Sequence, residues 1–481
     1  MPATPHFYLW INGEACDGDD TLTVANPYDG QTVATVSVAG RKQVQRALRA
    51  CAAAAPVLAG MTRAERADIL AAIVAGLDEA RTEIVDAIVM ESGKPRMFAA
   101  LEFERTLSVF SWAAGEARRF DGERIPLDGM TRGAGYEGWT RREPLGPVLG
   151  ITPFNFPLNL VAHKVAPALA VGNPVIIKPS SDTPITALIL ARIASQAGAP
   201  AGALNVLPMR HADIPLLLSS SVIRLVSFTG SPAVGWQLKK QVERQPVLLE
   251  LGGNSGAIVD ESADVDEAAR RCAMGGFAQA GQSCIAVQRI YVHESIHDAF
   301  LEALTREAGA MKTGDPRRED VAVGPVIHGQ AADRIMTWIE EAVAAGARIA
   351  CGGRRLPEGA GNLIEPTILV DVDEDMGVCR REIFGPVVTV APFAALDDAI
   401  ARVNRSDFGL QAAIFSRDLA HVQRAIEALE VGGVVVNDAP TFRVDHMPYG
   451  GVKASGLGRE GLRSAMLEMS VEKMVVMKRV A

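Results

Sequence analysis

The chain has 481 residues, 48% apolar and 22% charged, which excludes wholesale disorder and leaves length for about three domains. Lys and Arg number 48 against 57 Asp and Glu, a net charge of −9 with no long basic run, so no nucleic-acid partner is expected. Six cysteines, at 16, 51, 272, 284, 351 and 379, form no C-x-x-C pair and are too sparse for a disulfide scaffold; a reducing, cytoplasmic setting is expected. The N-terminus has no basic region ahead of an apolar run. The longest uncharged apolar stretch, about 145–162, is broken by Pro147, Pro153 and Pro157, so neither a signal peptide nor a membrane span is expected.

In chain order, the first strong helix is predicted over 62–90. Thr62 and Glu65 have capping-box spacing, Leu70, Ile73, Val74, Leu77, Ile84, Val85 and Ile88 recur at helical spacing, and Gly93 and Pro95 stop the run. A Gly- and Arg-rich ribbon follows at 122–144. From 145 short apolar runs at 148–152, 175–178, 204–207 and 225–228 alternate with helical segments at 158–170, 184–197, 211–219 and 232–240. That βαβ rhythm predicts a parallel sheet covered by helices, with ligands at the carboxyl ends of its strands. A second alternating block runs over 255–436. The tail, 471–480, reads as a strand with no partner nearby in sequence; with the ribbon it suggests an oligomerisation arm.

Two motifs invite over-reading. G-x-G-x-x-G occurs at 133–138 and 456–461, but neither is expected to follow a strand and open a helix, so both read as turn-rich loops. His293-Glu294-Ser295-Ile296-His297 matches H-E-x-x-H, whose zinc chemistry needs both histidines on one helix face. A strand at 289–292 with Ser295 as N-cap would leave His293 ahead of the helix, so no metal site is expected. Cys272, in a helical run with Ala268, Ala269 and Met274, reads as core.

Three segments place a polar group at a strand or helix end among small or apolar residues: Thr152-Pro153-Phe154-Asn155-Phe156-Pro157, Glu250-Leu251-Gly252-Gly253-Asn254 and Gly281-Gln282-Ser283-Cys284. Singly, Asn155 reads equally as a turn residue, Glu250 as a solvated strand end and Cys284 as a buried filler. Together they supply a nucleophile, a base and an oxyanion donor.

These motifs, with KPSSDTP (178–184), FTGS (228–231), EIFGP (382–386) and PYGGVKASGLGRE (448–460), resemble the NAD(P)-dependent aldehyde dehydrogenase superfamily over nearly the whole chain, from Ile11-Asn12-Gly13 onward. The branch resembled holds lactaldehyde, phosphonoacetaldehyde and non-phosphorylating glyceraldehyde-3-phosphate dehydrogenases. The resemblance implies an α/β fold: a Rossmann-like cofactor domain at 1–121 and 145–250, an α/β catalytic domain at 251–455, and a β arm at 122–144 and 466–481 that makes a homodimer or homotetramer. It implies that the Cys284 thiolate adds to the aldehyde. The Asn155 amide and the Cys284 N–H would hold the oxyanion, which expels hydride to the nicotinamide. Glu250 would activate the water that hydrolyses the thioester, and the thiol before that, with Lys164 and Glu460 relaying the proton. Relatives that pass the acyl group to coenzyme A tend to lack this glutamate, so hydrolysis to a free acid is implied.

The implied cofactor contacts are Thr152, Pro153, Phe154, Lys178, Ser181, Gly230, Ser231, Leu251, Glu382 and Phe384. Gly230-Ser231 closes a strand and opens a helix, a place for pyrophosphate. Many relatives carry glycines where this chain has Leu207-Pro208-Met209-Arg210-His211. Ser181 stands where NAD-specific relatives often have Glu, so NADP use is expected, with NAD the alternative. For the substrate, Arg443 replaces a tunnel aromatic, His163 replaces another, and Arg105 matches an entrance position. Phe156, Ser283 and Tyr449 complete the pocket. Ser283 stands where phosphonate-type relatives often have Arg, and Phe156 where some have His. Two arginines at one pocket would be left unpaired unless an anion binds, which points to a carboxylate-bearing semialdehyde or small hydroxyaldehyde. The competing reading is a surface Arg105 and an Arg443 paired with Asp445. Two other functions remain open on sequence: a cysteine-dependent acyl hydrolase or transferase without redox cofactor, and a non-catalytic relative of the kind found in eye lenses.

Overall fold

The computed structural model describes residues 4–479, and most of its strands lie in two large sheets. The first has eight strands in the order 456–457, 247–250, 225–229, 148–151, 175–178, 204–206, 9–11 and 14–16. Its five central strands are parallel, and the edges are antiparallel. From Val148–Ile151 the chain winds one way to 175–178 and 204–206, then returns to add 225–229 and 247–250 on the other side. The winding direction therefore reverses between 148–151 and 225–229. Such a switch point opens a crevice at the carboxyl ends of the strands, here the segments beginning at Thr152 and Gly230.

The second sheet has seven strands, from Ser255–Val259 to Gly433–Val436, in the order 348–351, 367–370, 387–393, 287–293, 255–259, 411–415 and 433–436. Only the 348–351 edge is antiparallel. Four residues separate Glu250, which ends one sheet, from Ser255, which starts the other. The strands of both central regions are buried apolar runs, as sheets covered on both faces require.

Several expectations need correction. The 62–90 helix is two helices, Arg63–Glu79 and Arg81–Ser92, broken at Ala80. Leu77 and Ile84 are seven residues apart, so the apolar phase continues across the break and no Gly or Pro marks it. The Thr62–Glu65 capping box and the left-handed Gly93 stop are both present. A helix at Arg41–Gly60 precedes them; its buried face is mostly small side chains, and Pro56 inside it reads as a stop. Segment 211–219 is a 3-10 turn, His211–Asp213, and one helical turn, Pro215–Leu218. The tail strand does have a partner: Ser470–Lys478 runs antiparallel to Tyr136–Pro144, with Arg124–Ile125 on the far side. The last predicted residue, Val480, lies outside the described residues.

The second G-x-G-x-x-G also departs from expectation. Gly456–Leu457 is an edge strand, and Gly461 caps the helix Leu462–Glu468. In H-E-x-x-H, His293 ends the strand Val287–His293 and His297 opens the helix His297–Ala310, with Ile296 rather than Ser295 as N-cap. The histidines thus lie on different elements. Cys272 is fully buried in the second core. Among the described residues no helix is long and apolar enough to cross a membrane.

Candidate active site

The segment that carries Cys284 is delivered by a strained turn. After the helix Val265–Phe277, Gln279, Ala280 and Gly281 have φ of 54°, 55° and 65°. For the two non-glycine residues this left-handed backbone costs roughly 1–2 kcal/mol each, so surrounding contacts must hold it. Gln279 Nε2 donates to the Asn155 carbonyl at 2.6 Å, and Asn155 Nδ2 donates to the Gln282 carbonyl at 2.9 Å. Gln282 Oε1 accepts from the Ile327 N–H at 3.0 Å. Gly281 admits no side chain, because a Cβ there would stand 2.1 Å from the Gly385 carbonyl oxygen. Asn155 is thereby strapped two residues from Cys284, with its second amide hydrogen unused by these bonds.

Glu250 reaches the same place from the first sheet. A Cβ on Gly253 would lie 2.5 Å from the Cys284 carbonyl oxygen, so the Glu250–Gly253 segment lies against the nucleophile's backbone. Glu250 is buried, and its Oε2 has no hydrogen-bond partner among the described residues. Burial first, then repulsion from Glu460, raises its carboxyl well above the ordinary range, against the pull of Arg443, Lys164 and Arg459. Burial likewise pushes the Cys284 thiol up to about 11, opposed by a hydrogen bond from Tyr449 and the charge of Arg443. The Cys284 Sγ lies 3.1 Å from the Tyr449 hydroxyl.

Behind Glu250 lies a wall of buried charge. The helix Asn159–Val171 is buried on every side and carries His163 and Lys164. Lys164 Nζ donates to Ser227 Oγ at 2.9 Å, Thr229 Oγ1 at 2.8 Å and Glu460 Oε1 at 3.1 Å. Burial alone would raise Glu460, but Lys164, His163 and Arg443 overcome it and hold the carboxyl down to about 2. Arg443 donates to Glu460 Oε2 at 3.4 Å and lies 3.7 Å from the centre of the Tyr449 ring, while its Nε has no partner among the described residues. Arg105, on the helix Arg96–Arg119, grips Asp445 with Nη2 at 2.7 Å and Nε at 3.1 Å. Asp445 also meets His163 Nε2 at 2.9 Å and Asn159 Nδ2 at 3.2 Å. Burial would raise its carboxyl, but His163 and Arg105 hold it far below the usual carboxylate range.

The cofactor candidates line the crevice at the switch point. Lys178 ends its strand almost fully buried, with no hydrogen bond or ion pair among the described residues; burial lowers its ammonium to about 8, against the attraction of Asp182. Thr152 Oγ1 is buried without a partner among the described residues. Ser181 is partly exposed beside them, and Ser231 caps the helix Pro232–Gln241 after Gly230. Leu251 packs against Gly235 of that helix. Glu382 accepts from the Gly253 N–H at 3.0 Å, and burial raises it to about 7. Phe154 and Phe384 meet edge to face at 5.8 Å. They line a cavity of about 310 Å³ with Gln282, Ile327, His328 and Arg334. Unpaired ammonium and hydroxyl groups beside a helix N-terminus fit a dinucleotide with its pyrophosphate and ribose hydroxyls.

Residues 11–475 match the profile described as the aldehyde dehydrogenase family. The chain belongs to the aldehyde dehydrogenase family. This aldehyde dehydrogenase is 41% identical over 471 residues to 3-sulfolactaldehyde dehydrogenase of Priestia aryabhattai, covering 98% of this chain and 97% of that protein. It is 33% identical to lactaldehyde dehydrogenase of Methanococcus aeolicus, covering 97% and 99% of the two chains. Its fold matches aldehyde dehydrogenase 21 of Physcomitrella patens, solved with the reaction product succinate, at a TM-score of 0.96 and 41% identity over 99% of each chain. It is an NAD(P)-dependent oxidoreductase.

In this aldehyde dehydrogenase the structure brings Asn155, Cys284, Glu250 and Tyr449 to one place, with Lys164, Glu460, Arg443 and His163 behind them. The unpaired-arginine argument fails: Arg443 has Glu460 and Arg105 has Asp445. The competing Arg443–Asp445 pairing fails too, because Arg105 occupies that carboxylate. Arg105 is only 22% exposed and faces the Phe156 ring at 5.6 Å. Ser283 Oγ serves its own turn, accepting from the Ile285 N–H at 3.4 Å. In the stretch that replaces glycines, Leu207 and Met209 are buried in the core and Arg210 pairs with Asp20. The charge of Lys178 first, then burial, lowers the His211 imidazole, which places His211 near that ammonium. Sequence reasoning missed the anchoring role of Asp445, the straps Gln279 and Gln282, and Arg334 beside Glu382. Asp445 had a signal: an acid between Arg443 and Pro448 in an otherwise apolar motif.

Proposed function

We propose that this enzyme oxidises a small anionic or hydroxylated aldehyde to its carboxylic acid through a Cys284 thiohemiacetal and thioester. The observation that carries this is the convergence of Asn155, Glu250 and Cys284, from three distant segments, where two sheets meet. Cys284 Sγ attacks the aldehyde carbon. The free N–H of Asn155 and the Cys284 backbone N–H hold the oxyanion that forms. Lys178, Ser181, Ser231 and Glu382 would hold the dinucleotide, which would supply the hydride acceptor when bound. Glu250 then takes a proton from the water that opens the thioester, and Lys164 and Glu460 carry charge away from it. The acid product leaves with both oxygens free, as hydrolysis rather than transfer requires.

The substrate class rests on the relatives that act on sulfolactaldehyde and lactaldehyde, and on Arg105 beside Phe156 at the partly exposed end of the charged wall. Ser181 leaves the 2′-phosphate of NADP unopposed by a carboxylate at that position, and Lys178 favours it. The eight-stranded sheet serves as the cofactor domain, the seven-stranded sheet as the catalytic domain, and the 124–144/470–478 ribbon as the arm of a homodimer or homotetramer. The free edges of Ser470–Lys478 and Gly433–Val436 support that assembly. A cytoplasmic site agrees with six unpaired thiols. The test is reduced-cofactor formation at 340 nm with succinic semialdehyde, lactaldehyde and hexanal under NAD and NADP. A preference for hexanal overturns the substrate class, and light scattering showing a monomer overturns the assembly.

A further inference from the structure

The thiol of Cys284 must ionise before it attacks, yet no cation or base among the described residues makes a hydrogen bond to it. Among the described residues its one hydrogen-bond partner is the Tyr449 hydroxyl, at 3.1 Å. Glu250 makes no hydrogen bond to the sulfur. Tyr449 itself is buried and pinned: its backbone N–H and carbonyl both pair with Glu460, at 3.0 and 2.6 Å. Ile285 and Leu410 pack round the ring and offer the hydroxyl no competing partner. Arg443 stacks on the ring face at 3.7 Å from its centre, and its own charge is fixed by Glu460.

The charged and titratable groups facing the sulfur are few. Glu250 at the end of strand 247–250 and Glu382 before strand 387–393 oppose a thiolate; Tyr449 and Arg443, from the segment after strand 433–436, favour it. Tyr449 keeps its proton, since burial and the neighbouring sulfur both raise the phenol. A phenol that stays protonated beside a sulfur can only donate once the sulfur is anionic, and a bond to the charged form shifts the ionisation toward it. A cation on the ring face draws electron density from the phenol and makes it a better donor.

We propose that the Tyr449 hydroxyl donates the hydrogen bond that stabilises the Cys284 thiolate before the aldehyde arrives, and that Arg443 strengthens this donor through the ring. Tyr449 is then a catalytic residue rather than a pocket wall. The thiol proton leaves to a solvent base, and Tyr449 retains its own. This rests on Cys284 being the nucleophile.

The test is the pH profile of iodoacetamide alkylation of the free enzyme, in which an S–C bond forms and iodide leaves, read at Cys284 by mass spectrometry. For Tyr449→Phe, which keeps the ring and the packing, the midpoint moves up by about one pH unit. Alkylation below the midpoint slows about tenfold, while NADP affinity and melting temperature hold. Arg443→Gln raises the midpoint more in the Tyr449 enzyme than in the Tyr449→Phe background, where only its direct charge on the sulfur is lost. Superimposable profiles for wild type and Tyr449→Phe overturn the donor role. An equal Arg443→Gln shift in both backgrounds overturns action through the ring. Full dehydrogenase activity in Cys284→Ala would instead overturn the nucleophile itself.

Discussion

Two walls face Cys284, and they are built from opposite materials. On one side Asn155, Gln279, Gln282 and a left-handed turn hold the nucleophile through uncharged amides and backbone groups. On the other, Lys164, Glu460, Arg443, Asp445 and the partly exposed Arg105 form a chain of ions, joined by His163, whose imidazole burial pushes toward the neutral form. Buried amides need hydrogen-bond partners, and these find them in backbone groups, apart from Asn155 Oδ1, which has none among the described residues. Buried ions are costly to desolvate, and each is held only by its opposite. On the proposed function the difference separates two tasks: the neutral wall would set where the carbon–sulfur bond forms, and the charged wall where protons and anionic groups reside.

The largest effect that tests this division comes from the nucleophile. Cys284→Ala should lower kcat by about ten thousandfold or more while NADP binding, read by fluorescence titration, stays within twofold. Next, Glu250→Gln should leave a rapid burst of reduced cofactor followed by slow turnover in stopped-flow traces; a missing burst reassigns Glu250 to thiol activation. In the wild type the same group sets a pH dependence. Glu250 has a raised carboxyl, so steady-state turnover should fall with pH at a midpoint above the ordinary glutamate value of about 4.3.

The walls should also differ in stability. Lys164→Met leaves buried carboxylates short of a partner and should cost about 3–5 kcal/mol in urea unfolding, against about 1–3 kcal/mol for Gln282→Ala. The sign with pH follows from Glu460. Its folded value is lowered, so its contribution is fully present above about 4.3 and is lost as pH falls through about 2; melting temperature should drop across that interval. The smallest effects are on selectivity. Arg105→Leu should reduce kcat/KM about tenfold for succinic semialdehyde and leave hexanal nearly unchanged, and Ser181→Glu should shift preference about tenfold toward NAD.

The parallel sheet was legible because its strands are short apolar runs separated by helical segments, and 175–178 falls where the pattern puts it. The three motifs that the structure brings together were legible as polar groups at element ends. The partners of the arginines were not, because Arg105 and Asp445 are 340 residues apart and only the fold joins them. The break at Ala80 was hidden for a different reason: the apolar phase runs on through it, so only the backbone turns. The Gln279–Ala280 turn has no composition signal either, since both residues usually avoid left-handed backbone.

The arm strand Tyr136–Pro144 has its longest neighbour in Ser470–Lys478, more than three hundred residues later. During synthesis at about 5–20 residues per second, that edge waits tens of seconds with Arg124–Ile125 as its sole ladder. The first sheet waits as well, since its Gly456–Leu457 edge is also made late. The ribbon on which the proposed assembly rests is therefore complete only when nearly the whole chain has been made. A chain truncated before 470 would keep Cys284, Glu250 and Asn155 yet leave the long edge of Tyr136–Pro144 without its ladder.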